Sequence, residues 1–216
     1  MSLFRRPSGI PRGQSSWRIV MAVAVLSTIA AVVFIGKGTA IYAKAALAQF
    51  LLEDAFTASL RSGEPVKPWA WADTWPVAKL EIPRLDASAI VLKGGSGEAL
   101  AFGPGHLDGT PRPGEAGASV ISAHRDTHFR FLRDIRLGDE IRVTRSDGAI
   151  FAFRISSTEV VPWDASGIDP HANGHWLILS TCWPLDASTI GDMRYVVRAH
   201  LIGRQTSSER RSAEHI

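Results

Sequence analysis

Hydrophobic and polar positions divide the chain into three regions with different periodicities. Residues 19–35 are almost wholly apolar and uncharged, and a helix of this length crosses most of a hydrocarbon layer roughly 30 Å thick. Residues 41–60 place apolar side chains at helical spacing, and Ser62-Gly63-Glu64-Pro65 ends that pattern. Beyond residue 76 the spacing shortens toward two, which is typical of strands. We therefore predict a membrane-spanning helix, then a stalk helix, then a mainly β domain.

The region after residue 76 contains eight predicted strands. They cover 78–82, 88–92, 118–123, 140–145, 149–156, 158–161, 176–180 and 194–201. Glycine- and proline-rich connectors separate them, with only short helices predicted near 98–102 and 129–132. So many short strands present exposed edges unless the sheet closes. The pattern predicts a closed eight-stranded β-barrel with short helices, preceded by the transmembrane helix.

The charges around the apolar run predict its orientation. Arg5, Arg6, Arg12 and Arg18 precede the run, and the positive-inside rule keeps such a segment cytoplasmic. A cleaved signal peptide is the alternative, because Ala46-Leu47-Ala48 resembles a cleavage site. That site lies far downstream of the apolar core. We predict an uncleaved single-pass anchor in the inner (cytoplasmic) membrane, with the following domain on the periplasmic side.

These patterns divide the chain into five segments. They are a cytoplasmic basic N-terminus at 1–18, a transmembrane signal anchor at 19–42, a stalk helix and Trp/Pro-rich linker at 43–75, a folded domain at 76–202, and a disordered tail at 203–216. The tail is assigned because its polar, charged sequence has no apolar periodicity.

Composition narrows the class of protein. The chain has 216 residues, of which 45% are hydrophobic and 21% charged, and these proportions are typical of a globular protein. The formal net charge is only +3, and no basic stripe alternates with aromatic residues. Helix-turn-helix and zinc-finger spacings are also missing from the sequence. These observations argue against a nucleic-acid partner.

Cys182 is the only cysteine of the chain, and it follows the apolar run Leu177-Ile178-Leu179. A lone cysteine cannot form an internal disulfide, so either packing or chemistry explains it. Trp183-Pro184 follows, and proline cannot donate to a central ladder, so we predict that the strand ends at the cysteine. Side chains at strand ends can reach a substrate. Cys182 is therefore a candidate nucleophile, with a small buried side chain as the alternative.

Two further residues can complete a catalytic group with this cysteine. A free thiol is mostly protonated at neutral pH and needs a base, and His124 comes directly after the predicted strand 118–123. Arg194 opens the last strand, and its permanent charge can stabilise an oxyanion. Strand ends at one rim of a small barrel lie close together. We expect Cys182, His124 and Arg194 to share one rim.

The motifs around these residues resemble those of the sortases, cysteine transpeptidases that attach secreted proteins to an amine at the cell envelope. The resemblance rests on Leu179-Ser180-Thr181-Cys182, His124-Arg125 and Arg194, in the order and context of the family. It spans roughly 76–202. The tryptophan-rich segment 69–75 and Leu80-Glu81-Ile82-Pro83 most resemble the Gram-negative (class GN) type. The resemblance implies that Cys182, His124 and Arg194 are catalytic and that Thr181 contacts the substrate or the oxyanion.

The resemblance also implies a reaction and partners. A membrane-anchored transpeptidase would cut a C-terminal, Leu-Pro-x-Thr-Gly-like sorting signal of a secreted protein through a thioacyl-enzyme, and pass the protein to an amine acceptor in the cell envelope. It implies no cofactor. His124 and His128 have a metal-like spacing, but no glutamate follows His124 as a zinc protease requires, so we predict no metal. A membrane-anchored cysteine peptidase and a non-enzymatic envelope scaffold are the alternatives.

Overall fold

A computed structural model of the chain describes residues 13–186 and 191–205. The chain divides into two compact units, Met1–Ala46 and Leu47–Ile216. Helix α1, Gly13–Ser62, runs through the first unit and into the second. In the described part of the chain, Trp17–Ile35 is the one helical segment long and apolar enough to cross a membrane, with a mean hydropathy of 2.5. Its side chains are exposed, and it is a candidate membrane span.

The second unit contains a closed barrel of eight strands with short helices between them, as the sequence predicts. Around the barrel the strands follow the order β1-β2-β3-β4-β7-β8-β6-β5. Strand pairs β2–β3 and β4–β7 are parallel, and the others are antiparallel. The strands are β1 Pro76–Ile82, β2 Ala87–Lys93, β3 Gly105–His106, β4 Gly117–Ser122, β5 Glu140–Arg145, β6 Ile150–Pro162, β7 His175–Cys182 and β8 Met193–Gln205.

The number of strands agrees with the sequence prediction only because two differences cancel. The predicted strands 149–156 and 158–161 are one strand, β6, whose register against β8 shifts between Ile155 and Ser157. The two-residue strand β3 was not predicted, because it lies in a glycine- and proline-rich connector. The predicted short helices correspond to α2, Gly97–Phe102, and to a 3-10 helix at Arg130–Arg133. A further 3-10 helix lies at Pro83–Leu85.

Alternate residues of each strand fill the barrel. In β1 the side chains of Ala78, Leu80 and Ile82 are fully buried, whereas the residues between them are half-buried. This is the period-two pattern that the sequence predicts for a half-buried strand. The same interior cluster includes Ile121 of β4, Phe153 of β6, Leu177 and Leu179 of β7, and Val197 and Ala199 of β8.

The last part of α1 packs on the outside of the barrel. Leu52 and Phe56 form a buried cluster with Ile90, Leu92 and Ala99, and the Gln49 side chain donates a 2.8 Å hydrogen bond to the carbonyl oxygen of Phe102. Residues predicted as a stalk therefore belong to the same compact unit as the barrel.

The predicted segment boundaries at 1–18, 19–42, 43–75, 76–202 and 203–216 stay predictions. Strand β8 includes the first residues of the predicted tail, as far as Gln205. Residues 1–12 of the predicted basic N-terminus and residues 206–216 of the tail lie outside the described residues.

A buried ion pair holds the 3-10 helix after β1 against the start of β5. Arg84 donates to both carboxylate oxygens of Asp139, at 2.6 and 2.7 Å, and Asp139 is only 8% exposed. The Arg136 amide donates to the same carboxylate at 2.8 Å. The hydrogen bond from Arg84 holds the pKa of Asp139 below its ordinary value. The pair therefore links folding stability to pH.

Replacing Asp139 with asparagine should remove part of the acid sensitivity of folding. The folded-state pKa is the lower one, so the stability from ionised Asp139 is complete above the unfolded pKa of about 3.9 and disappears as pH falls through the folded value. We expect Asp139→Asn to lower the thermal midpoint at about pH 7, and the deficit to shrink at about pH 3. Glu140→Gln, at a more exposed ion pair with Arg142, is the matched control. A deficit independent of pH would contradict the prediction.

Candidate active site

The paired strands β7 and β8 bring Cys182 and Arg194 together. Their antiparallel register places Cys182 directly opposite Arg194, the last of a continuous series that includes Leu179 opposite Val197. Directly opposite residues on neighbouring strands have their Cβ atoms about 5 Å apart. Cys182 is the last residue of β7 and Arg194 the second of β8. Both side chains therefore lie at one rim of the barrel.

His124 lies at the same rim, on the other side of Cys182. Strand β4 runs parallel to β7 with Ser122 opposite Ser180, and the Ala123 amide extends the pairing by donating to the Ser180 carbonyl at 3.2 Å. His124 is the next residue, and Cys182 lies two residues beyond Ser180. Adjacent strands are about 4.8 Å apart. Around the rim the order is His124, Cys182, Arg194, on three neighbouring strands.

Strand parity shows which face of the barrel carries these residues. Ile178 packs outside the barrel interior, in a cluster with Ala118, Val120 and Val196. Cys182 and Arg194 are four and two residues from members of this cluster, so they point to the same outer face. Cys182 is half-buried and His124 is exposed. The partly exposed Cys182 therefore lies on the same outer face as this apolar cluster.

Thr181 points in the opposite direction. Its side chain is buried, with 3% of the residue exposed, and its hydroxyl donates a 2.7 Å hydrogen bond to the carbonyl of Ala123. The geometry therefore links Thr181 to the residue before His124 and does not place its side chain beside the thiol. A contact between Thr181 and substrate stays a prediction.

The Arg194 side chain is held by backbone carbonyls of the β7–β8 connection. Its Nη1 donates to the carbonyl oxygens of Met193, at 3.0 Å, and Gly191, at 3.4 Å. The residue after Cys182 is fixed to the same segment, because the Trp183 amide donates to Met193 and the Trp183 ring stacks on Tyr195 with centroids 5.8 Å apart. These contacts hold the guanidinium and the thiol on facing strand ends.

An apolar cluster lies on the outer face that carries Cys182. It consists of the buried residues Ala118, Val120, Ile178 and Val196, and Ile168 of the β6–β7 connection packs against it. A cavity of about 320 Å³ lies further along the same face, lined by Ala118, Trp176, Ile178 and Arg198 among others.

The β6–β7 connection over this cluster is held by hydrogen bonds to its backbone carbonyls. The Pro170 carbonyl accepts from the Ala118 amide at 3.0 Å, and the Ser166 carbonyl accepts from the Arg198 side chain at 3.2 Å. These contacts fix the connection against β4 and β8.

His128, the second histidine of the predicted metal-like pair, belongs to the turn that follows His124. It is half-buried, and burial lowers its pKa despite a hydrogen bond with the backbone of Ala101. Within residues 13–186 and 191–205, no group of three or more His, Cys, Asp or Glu side chains is arranged to hold a metal ion.

Comparison with known proteins matches the barrel to one family. The family model described as a sortase domain matches residues 80–202. Sortase D of Bacillus subtilis (strain 168) is 34% identical over 119 residues, which cover 55% of this chain and 60% of that protein. The match therefore spans less than two thirds of this curated relative.

Two solved sortase structures are also similar to this chain. Sortase E from Streptomyces avermitilis has 34% identity and a TM-score of 0.51, over 60% of this chain and 90% of that chain. Sortase E1 from Streptomyces coelicolor, solved with a tripeptide in the active site, has 27% identity and a TM-score of 0.54, over 62% and 92% of the two chains. These matches do not specify the Gram-negative type, which stays a prediction. Since the family model covers more than half of the chain, including the segments that carry Cys182, His124 and Arg194, the protein belongs to the sortase family, whose members are transpeptidases.

Proposed function

We propose that this protein is a membrane-anchored cysteine transpeptidase that cuts a C-terminal sorting signal of a secreted protein and joins the protein to an amine acceptor in the cell envelope. The observation that carries the proposal is the order His124, Cys182, Arg194 on three neighbouring strand ends. This order puts a nucleophile between a proton carrier and a fixed positive charge. Membership of the sortase family supports the reaction type.

The first half of the reaction forms a thioacyl-enzyme. The Cys182 thiolate attacks the carbonyl carbon of the scissile peptide bond, and the negative charge that develops on the carbonyl oxygen is stabilised by Arg194. The C–N bond then breaks, and the leaving amine takes a proton from His124. The secreted protein is left joined to Cys182 through a thioester, and the C-terminal fragment departs.

The second half transfers the acyl group. The acceptor amine gives a proton to His124 as its nitrogen attacks the thioester carbonyl, and the thiolate of Cys182 is then released as the leaving group. Water can attack in the same way, so transfer requires the amine to be bound in position. A membrane-anchored peptidase would differ from this enzyme only in that step.

A cavity on the face that carries Cys182 supports a peptide as the acyl donor. It is lined by Ala118, Trp176 and Ile178, among others. The structure of the Streptomyces coelicolor relative has a tripeptide in its active site. A Leu-Pro-x-Thr-Gly-like signal offers an apolar leucine and proline on the N-terminal side of the cut, which suits a partly apolar lining. We therefore propose this signal class as the substrate.

The apolar helix supports the membrane location. Trp17–Ile35 is exposed and of spanning length, and four arginines precede it or lie at its start. With the arginine-rich end cytoplasmic, the barrel lies on the outer side of the inner membrane. There it meets secreted proteins after their export.

The experiment that tests the proposal measures products by mass spectrometry. The full-length protein in detergent is incubated with a Leu-Pro-x-Thr-Gly peptide, with and without a primary amine such as triglycine. An amine-linked product supports transpeptidation. Hydrolysed peptide alone, at every amine concentration, would refute transfer and favour the peptidase. If neither product forms across a panel of related motifs, the proposed substrate class is wrong.

Replacing Arg194 should slow the reaction strongly. We expect Arg194→Ala to lower kcat/KM by about 10²- to 10³-fold, because a charged donor to the developing oxyanion is lost. Arg194→Lys keeps the charge but loses the planar guanidinium, so we expect only partial activity. The rate of amine-linked product formation measures the effect. Arg154→Gln, at an exposed arginine of β6, is the control. A loss below about threefold in Arg194→Ala would contradict the assigned role.

A further inference from the structure

Two arginines of the segment after His124 bind consecutive backbone carbonyls of the segment after Cys182. Arg125 Nη1 donates to the carbonyl oxygen of Pro184 at 2.9 Å, and Arg133 Nε donates to that of Leu185 at 2.7 Å. Pro184 and Leu185 are the second and third residues beyond the thiol. Hydrogen bonds from charged donors are stronger than those between neutral groups. The two contacts therefore join the connection that carries His124 to the connection that follows Cys182.

The Arg125 contact follows His124 and Cys182 along the chain, whereas the links between the two strand ends precede them. On the strand side, the Ala123 amide binds the Ser180 carbonyl and Thr181 binds the Ala123 carbonyl, just before His124 and Cys182. On the far side, Arg125 binds Pro184, just after them. His124 and Cys182 thus lie between two sets of cross-links. Within the histidine turn the Phe129 amide donates to the His124 carbonyl at 3.0 Å, and Arg125 and Arg133 join this turn to the segment after Cys182.

We propose that Arg125 is a positioning residue that fixes the separation of His124 and Cys182, with Arg133 as a weaker second support. The inference rests on the proposed transpeptidase function, because the positioned groups are those that exchange the proton. Catalytic groups displaced by about 1 Å can lose about 10²-fold in rate. Arg125 contacts the Pro184 carbonyl in a partly buried place, whereas the Arg133 contact is exposed. Water competes more effectively for the second contact, so its loss matters less.

The neighbouring Arg130 offers a matched control. It belongs to the same segment, but the two side-chain hydrogen bonds described for it go to the carbonyl of Asp126, at 2.9 and 3.2 Å, within its own turn. An Arg130→Gln variant removes a guanidinium and a positive charge from the same region without touching the Pro184–Leu185 carbonyls. A difference between Arg125→Gln and Arg130→Gln therefore reports on the link between the two connections.

The test compares native protein, Arg125→Gln, Arg125→Lys, Arg133→Gln and Arg130→Gln, all full-length in detergent. The folded fraction of each variant is first taken from its thermal melting curve, and iodoacetamide then labels Cys182 alone because the chain has a single cysteine. For Arg125→Gln we expect kcat per active site to fall about 10- to 100-fold with KM changed less than about threefold. Arg125→Lys should recover part of the loss. Arg133→Gln should lose less than about tenfold, and Arg130→Gln should match native protein.

A second readout separates positioning from loss of folding. The rate of Cys182 alkylation is measured against pH, and we expect the profile of Arg125→Gln to be displaced from those of native protein and Arg130→Gln, because the His124–Cys182 pair is altered. If the profile of Arg125→Gln is native and activity falls only in proportion to the folded fraction, the role is structural and the proposal is wrong. Equal kcat in Arg125→Gln and Arg130→Gln would overturn it as well.

The two proposals fail in different ways. Native protein that forms no amine-linked product refutes the proposed function, whereas the alkylation profiles still decide whether Arg125 controls the pair. Native activity together with a fully active Arg125→Gln refutes only the positioning role.

Discussion

Cys182→Ala is expected to abolish both the thioacyl-enzyme and the amine-linked product. Removing the nucleophile of a catalytic group can cost about 10⁶-fold in kcat, so the residual rate should fall below detection. The variant should still fold, because Cys182 is half-buried at the end of β7 and its ladder partner Arg194 is held by backbone contacts. Mass spectrometry of the protein after mixing with peptide measures the adduct, and the same samples give the product.

The single cysteine makes this result unambiguous. A covalent adduct on native protein that hydroxylamine removes at neutral pH is a thioester, and it lies at Cys182, since the chain has no other thiol. Cys182→Ser provides the matched variant, because it replaces only the attacking sulfur atom with oxygen and so offers a much weaker nucleophile. Product from Cys182→Ala at more than about a thousandth of the native rate would mean that another group attacks the peptide. A native thermal midpoint in both variants excludes misfolding as the cause.

His124→Ala is the second variant with a large expected effect. We expect kcat to fall by about 10³-fold or more, because the leaving amine then lacks a proton donor and the acceptor amine lacks a base. The steady-state rate of amine-linked product measures the loss. Added imidazole should restore part of the rate, since His124 is exposed and a small base can occupy the space that its ring leaves.

A histidine at the other end of β7 serves as the control for this variant. His175 is exposed, and its ring contacts the Gly114 carbonyl at 3.1 Å, seven residues from Cys182 along the strand. His175→Gln should therefore keep native kcat. Equal activities in His124→Ala and His175→Gln would remove His124 from the mechanism. Loss of activity in His124→Ala with no rescue by imidazole, but with a lowered thermal midpoint, would assign His124 a structural role.

The sequence predicts the barrel because its strands alternate, and it predicts the rim because the candidate residues terminate apolar runs. It predicts β6 as two strands because the register shift near Ile155 interrupts the alternation that the prediction relies on. It misses β3 because a two-residue strand of glycine and histidine has no periodicity at all. Local sequence patterns thus identify long, regular strands. They fail where pairing with a neighbouring strand determines the register or the existence of a strand.

The Arg125 contact in the candidate active site could not be predicted from the sequence either. His124-Arg125 is recognisable as a motif, but the carbonyl that Arg125 binds is 59 residues away. Every residue has a backbone carbonyl, so the sequence does not identify which one Arg125 contacts. Thr181 is a comparable case. Its place before the cysteine suggests contact with substrate, whereas strand parity turns its hydroxyl inward to Ala123. Side-chain direction at adjacent positions depends on the ladder register, which only the folded barrel displays.

The packing of residues 47–62 on the barrel restricts where proteolysis can separate the barrel from the proposed membrane anchor. The Trp/Pro-rich segment after Gly63 looks like an accessible hinge, yet a protease cutting there would separate Leu52 and Phe56 from the apolar surface that Ile90, Leu92 and Ala99 present. The released fragment would then expose this apolar patch to solvent and would tend to aggregate. A cut that releases the barrel with this helix still in place has to fall before Leu47.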